Sequence, residues 1–396
     1  MTSTPAPTLP PAPAPPAFTA VKVGRWRVPA GTRITGVPTE TPHGHAAEFD
    51  LIELDARVVT GASFAVTIVA PGGTSARQVV VDRAEALRVM RLGHEEPDVL
   101  TKHITEVFYA RYAGQLFGTE ISPRDVRQGS PGDCRTMSSL QAIADVRGGP
   151  DFLRSKITPV AGGYLVSLLD VPAPGTAQGG RRITQRQVFV SDYFPTAIAG
   201  DATDRVARYA SSGRRPGPAV TFPLWPAVLE KALATLWGGY GKLEHFDIHE
   251  DLVFRALGIY AKQGHTLSLT NSGPGGQRPT AATVEQFVRA AAGRGAAITA
   301  PGMSSQHNFA VLDVRPGGVT LADPRTAQGS GDLARWDNPK NGSDAEESEL
   351  ADYAYWPMRF TWQDLMKRVR WFCTYDIPEL EKDSDGKEGK GGKDGR

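Results

Sequence analysis

The chain has 396 residues, of which 40% are hydrophobic and 22% charged, and its formal net charge is +1. That length supports two or three folding units with a substantial core. The balanced charge excludes a global field that would draw in nucleic acid or an anionic membrane surface, and two cysteines far apart in sequence argue against a disulfide scaffold and suit a reducing compartment, a pairing being open only if they fold side by side.

Residues 1–20, MTSTPAPTLPPAPAPPAFTA, carry prolines that cannot donate to helices or sheets, so a Pro-rich disordered arm is expected. They lack the basic start and continuous apolar core of a secretory signal. No apolar run approaches the roughly 20 residues of a membrane span, and the expected location is cytoplasmic, with export that needs no cleaved leader left open. Residues 21–82 read as a β-rich segment: FDLIELDARVV, FAVTIVA and RQVVVD are β-branched and apolar, with PGG and GA between them. The period then changes, and ALRVMRL and VLTKHITEVFYARYAGQLF place apolar residues three and four apart, as helices do.

CRTMSSLQAIADV follows with Met137, Leu140 and Ala144 on one helical face, which predicts a buried helix starting at or near Cys134. GGYLVSLLDV and RQVFVSDYF read as strands, the second ending at Pro195. WPAVLEKALATLWGGYGKL reads as a second helix, with Pro226 in its first turn, an apolar stripe from Trp225 to Leu236, and Gly238–Gly239 as its stop. These place a helical, nucleophile-bearing subdomain over 83–240. In 241–378 a helix, ATVEQFVRAAAGRG, precedes the strands AAITAP, HNFAVLDVR and GVTLADP. The PGG between the last two predicts a hairpin that sets His307 beside Asp323. Aromatic segments, a short helix and a strand close the fold, and the Gly-, Lys- and Asp-rich tail at 379–396 is expected to stay solvated. The fold class is α+β, with a cleft between a helical half and a β-rich half.

The stretch QGSPGDC, from Gln128 to Cys134, carries the chemistry. Only a thiolate attacks carbonyl carbon well, and a helix N-terminus or an imidazolium favours that form. Gly129 and Gly132 allow a tight turn that opens the thiol to a substrate. The Gln128 side-chain amide and the Cys134 N–H are suited to hold an oxyanion. From these residues alone, a catalytic cysteine and a small buried packing cysteine both stay open. His245 and His249, four apart, lack the further ligand and the glutamate of a two-histidine zinc motif, and read as a surface helix. Cys373, in WFCTY, reads as core.

QGSPGDC with its following helix resembles the active-site entry of the calpain family of papain-like cysteine proteases. The similarity continues through WPAVLEKALATLWGGYGKL, QHNFAVLDV, LADPR and the closing FTWQDLMKRVRWFCTYDI, in the family's order over residues 120–378. The resemblance implies a papain-like two-subdomain core and peptide-bond hydrolysis. Cys134 would be the nucleophile, His307 the acid/base, Asp323 its orienter and Gln128 the oxyanion side chain. It also implies a protein or peptide substrate and calcium as a possible activator, with Asp125 falling where the family has a calcium-site aspartate. Four positions depart from the pattern: Arg135 replaces Trp, Asp323 replaces Asn, Arg325 replaces Trp, and Pro223 stands where an acidic residue is expected. The alternatives are a thiol amidase or transglutaminase-like acyltransferase using the same residues, and a non-catalytic binding module.

Overall fold

The computed structural model describes residues 9–11, 24–27, 51–55, 63–69, 76–92, 94–97, 108–111, 115–126, 128, 132–171, 183–196, 223–244, 250–261, 265–269, 278–302, 307–324 and 356–378. Helices and strands are mixed, with antiparallel sheets throughout, in agreement with an α+β class. Among the described residues no helix is long and apolar enough to cross a membrane.

The N-terminal strands are β1 (Gly24–Arg27), β2 (Leu51–Asp55), β3 (Ser63–Val69) and β4 (Ala76–Asp82). They form a sheet that a fifth strand, β5 (His94–Glu96), completes by pairing with β1, in the order β4-β3-β2-β1-β5. Helix α1 (Arg83–Leu92) buries Ala86, Val89 and Met90 and packs on this sheet. The N-terminal unit therefore does not end at Asp82 but continues through Glu96, because β1 needs a partner on its second edge. From the Pro-rich arm, Pro10 is exposed and its carbonyl accepts a hydrogen bond from Ala161 N–H at 2.8 Å.

The segment read as helical over VLTKHITEVFYARYAGQLF holds a strand instead, β6 (Phe108–Arg111). It pairs with β10 (Tyr193–Thr196). Helical spacing yields here to a long-range ladder. RQVFVSDYF is likewise two strands rather than one. β9 (Gln185–Ser191) joins β7 (Ile157–Val160) and β8 (Gly163–Leu169), and the chain turns at Asp192 into β10 and a different sheet.

The helices of this half are α2 (Cys134–Asp145), α3 (Gly149–Ser155), α4 (Trp225–Trp237), α5 (Tyr240–Leu243) and α6 (Glu250–Ala256). α4 starts with Pro226 in its first turn and stops at Gly238, whose φ of 91° is left-handed and suits glycine. It is buried on nearly every side by α2 and the β7-β8-β9 sheet.

Among its described residues the second half is a six-stranded sheet with two helices. Its elements in chain order are β11 (Thr266–Ser268), α7 (Ala281–Gly293), β12 (Ala297–Pro301), β13 (Asn308–Arg315), β14 (Gly318–Asp323), β15 (Trp356–Thr361), α8 (Trp362–Arg368) and β16 (Trp371–Tyr375). The strand order is β11-β16-β12-β13-β14-β15. The period-2 alternation of strands sorts its side chains into two layers. Ile298, Ala300, Phe309, Val311, Val319, Leu321 and Phe372 join Val284 and Val288 of α7 and Leu365 of α8 in one core. Ala297, Ala310, Ala322, Cys373 and Tyr375 face the other core, with Met137, Leu140 and Ile143 of α2. Three of those five sheet residues are alanine, so α2 lies close against β12, β13 and β14.

The N-terminal sheet is tied to the helical half by buried charge. Glu96 accepts from Arg27 Nε at 2.8 Å and pairs with Lys231 Nζ of α4 at 2.6 Å. Lys231 Nζ also donates to Ser191 Oγ at 2.8 Å and to the Tyr193 carbonyl at 2.6 Å. Burial alone would raise the Glu96 carboxyl, but the Lys231 and Arg27 charges pull it down to about 2. Breaking one member of such a cluster leaves uncompensated charge in the interior. Glu96→Gln is therefore expected to cost about 3–5 kcal/mol in urea denaturation, and an unchanged midpoint would show that the two units do not depend on this contact.

Candidate active site

Cys134 is the first residue of α2, and the small-residue face of the sheet brings that end of the helix to the head of β13. His307 immediately precedes β13 and Asp323 ends β14. The Pro316–Gly317–Gly318 turn joins the two strands, with Gly317 at φ 84°, a conformation that glycine adopts without strain. The hairpin register pairs Ala310 with Ala322, which carries the preceding His307 toward the end of β14. His307 Nε2 lies 2.7 Å from Asp323 Oδ1, and both side chains are about 5% exposed (5% and 4%). The ring packs edge-on against Phe309, centroids 4.8 Å apart.

The Cys134 sulfur, 173 positions earlier in the chain (134 to 307), lies close enough to His307 to act on the charge of its ring. Burial opposes charging the imidazole. The Asp323 carboxylate and the Cys134 sulfur outweigh it, and together they push the ring up to about 9. At neutral pH the histidine is therefore an imidazolium held between an acid and a sulfur. With Nε2 engaged by Asp323, Nδ1 is the nitrogen left to face the sulfur.

Gln128 is buried, and its backbone N–H donates to the carbonyl of Pro324, the residue after Asp323. The segment leading to the nucleophile is thereby pinned to the strand end that carries the orienting carboxylate. Cys134, His307, Asp323 and Gln128 thus converge. Arg135 is half-buried, while Gly129 and Arg325 lie outside the described residues. Cys373 is buried in the sheet, with Thr266 Oγ1 3.7 Å from its sulfur, and is remote from this convergence by strand position. His245 and His249 lie outside the described residues.

Asp125 sits in a 3-10 turn (Pro123–Asp125) as part of a capping box with Ser122. Its Oδ2 accepts from the Ser122 backbone N–H at 2.9 Å and from Trp225 Nε1 at 2.9 Å. The carboxylate thus ties the turn to the start of α4. Two N–H donors on one oxygen are a poor setting for a cation, and calcium needs several converging oxygens. Pro223, half-buried, offers no side-chain oxygen. Among the described residues no three or more His, Cys, Asp or Glu side chains are grouped to hold a metal ion. The described residues do not fit a calcium site at Asp125.

Sequence reasoning named Asp133 only as part of the motif and Glu230 only as part of a helix. Both are fully buried beside the nucleophile. Burial raises the Asp133 carboxyl to about 7, the neighbouring Glu230 draws it back, and the charge of Glu244 raises it further. Glu244 Oε1 in turn accepts from Gly132 N–H at 3.0 Å, closing the turn before Cys134. The available signal was the Glu–Lys pair set inside the apolar stripe of α4.

Both raised groups make stability fall with rising pH. A group whose pKa is higher in the folded state binds its proton preferentially there. The Asp133 contribution is complete below its ordinary 3.8 and is lost through about 7, and that of His307 is complete below 6.5 and lost through about 9. Urea midpoints measured from pH 4 to 9 should fall less steeply between 4 and 7 in Asp133→Asn, and less steeply between 6.5 and 9 in His307→Gln. Slopes identical to the parent in both variants would contradict these assignments.

Neither comparison with family models nor comparison with curated proteins gives a match to this chain, so the reading of the site stands on its residues and geometry.

Proposed function

We propose that the chain is a calpain-like cysteine endopeptidase on a papain-like two-subdomain core, with Cys134 as nucleophile. The observation that carries this reading is the buried His307 ring bonded to Asp323, with the Cys134 sulfur close enough to favour its charge. A packing cysteine has no need of an imidazolium partner with its own buried carboxylate. Such a charged cluster is costly to bury and is the arrangement that thiol acyl transfer requires.

In the proposed cycle the Cys134 sulfur, as thiolate, forms a bond to the carbonyl carbon of a peptide. The displaced electron pair goes to the carbonyl oxygen, which the Gln128 side-chain amide and the Cys134 backbone N–H hold. The tetrahedral centre collapses, the C–N bond breaks, and His307 Nδ1 gives its proton to the departing amine. Neutral His307 then takes a proton from water as the water oxygen attacks the thioester, and collapse releases the carboxylic acid and restores the ion pair. Asp323 stays ionised throughout and orients the ring. No step is routed through calcium. The thiol nucleophile and the two non-disulfide cysteines suit a reducing, cytoplasmic setting.

The test is hydrolysis of unfolded protein and of a mixed peptide library, read by mass spectrometry of the products. The parent protein should generate new N-termini, and Cys134→Ala should lose at least about 10³-fold in rate, the order that loss of a covalent nucleophile carries. Asp323→Asn should retain activity, reduced by about ten- to a hundredfold, because an amide orients the ring without stabilising its charge. Incorporation of a primary amine into glutamine-containing peptides without chain cleavage would assign the same site to acyl transfer instead. No turnover of either kind, with Cys134→Ser binding partners as well as the parent does, would mark a binding module.

A further inference from the structure

Beside the Cys134–His307 contact runs a second tie between the same two elements. Asn308 Nδ2 donates to Ser138 Oγ at 2.7 Å, across 170 residues, and both side chains are fully buried. Asn308 is the neighbour of His307 at the head of β13. Ser138 lies four residues, one helical turn, after Cys134 on α2. The Ser138 hydroxyl has a single proton, directed to the Arg135 carbonyl at 3.2 Å, which leaves its lone pairs for the amide N–H. One hydroxyl thus joins the first turn of the nucleophile helix to the strand that presents the histidine.

The setting makes this tie directional. The sheet layer under α2 is otherwise built largely of alanines: Ala297, Ala310 and Ala322. Apolar contact between a helix and such a flat face is tolerant of sliding and rotation, because it has no preferred direction. A buried amide and hydroxyl are costly unless they meet, and they meet in only one register. By strand alternation Asn308 shares the α2-facing side with Ala310, and His307, the residue before the strand, packs its ring against Phe309. His307 and Asn308 are consecutive, so a shift of β13 along α2 would move the imidazole relative to the sulfur.

We propose that Ser138 and Asn308 are positioning residues that fix the register of β13 on α2 and thereby the placement of His307 against Cys134. The proposal rests on the acyl-transfer reading above and adds two residues that do not touch the reacting atoms. Near-attack geometry is sensitive at this scale, since about 1 Å of misplacement can cost about a hundredfold in rate.

The experiment is iodoacetamide alkylation of the full chain from pH 5 to 9, with labelling of Cys134 and Cys373 followed separately by peptide mapping. The protein is compared with Ser138→Ala, Asn308→Ala, the double variant and Ser138→Thr. In the parent, Cys134 is expected to label at pH 5–6 far faster than a free small-molecule thiol under the same conditions. Each single alanine variant should lower that acid-side labelling about tenfold and move the profile toward an ordinary thiol. The double variant should lose no more than either single one, because both changes cut one bond. Ser138→Thr, which keeps the hydroxyl, should recover the parent profile to within about threefold. Should Asn308→Ala fail to fold, Ser138→Ala, which deletes one oxygen from a helix, decides the matter with Ser138→Thr. Folded alanine variants with an unchanged profile, or losses that add in the double variant, would overturn the clamp while leaving the acyl-transfer reading intact. A parent profile like that of an ordinary thiol would overturn that reading and the clamp with it.

Discussion

Everything at the site depends on how closely one helix can lie on one sheet. α2 packs against β12, β13 and β14 through Ala297, Ala310 and Ala322, and its first residue is the cysteine. Larger side chains in that layer would lift the helix and carry its N-terminus away from the head of β13. The close approach brings Cys134 to His307 across 173 residues of chain, and the hairpin through Gly317 adds Asp323 from the neighbouring strand. The Gln128 N–H, bonded to the Pro324 carbonyl, closes the ring of contacts from the other side.

A second constraint runs through α4, where two adjacent charged residues are buried in an otherwise apolar helix. Lys231 reaches Glu96, and through it Arg27 of the N-terminal sheet. Glu230 reaches Asp133, the residue before the nucleophile. Consecutive residues on a helix point about 100° apart, so α4 contacts the N-terminal sheet and the start of α2 at one level along its axis. The N-terminal sheet is thus bonded into the same framework that holds the nucleophile helix. Asp125 belongs to the framework too, because its bond to Trp225 fixes the start of α4.

Much of this was legible in the chain. The starts of α2 and α4 followed from apolar periodicity, from Pro226 and from Gly238. The β13–β14 hairpin followed from Pro316–Gly317–Gly318, and with it the meeting of His307 and Asp323. What stayed hidden depends on partners distant in sequence. Phe108–Arg111 has helical spacing around it and becomes a strand only because β10 lies beside it. Asp192 splits one apparent strand into two because its flanks join different sheets. β5 belongs to the N-terminal unit because β1 has an edge to fill. The polar contacts of Ser138 with Asn308 and of Asp133 with Glu230 were beyond reach, since ordinary helix and strand residues acquire such roles only when burial removes water from them.

The central claim is that His307 is held as an imidazolium between Asp323 and the Cys134 sulfur. Its most direct test is a proton NMR titration of the ring, with His307→Gln supplying the assignment. The account predicts a histidine resonance that titrates at about 9 and moves down in Cys134→Ala and in Asp323→Asn, since each variant removes one of the two groups that favour the charge. A ring that titrates near the ordinary 6.5 and ignores both substitutions would contradict it.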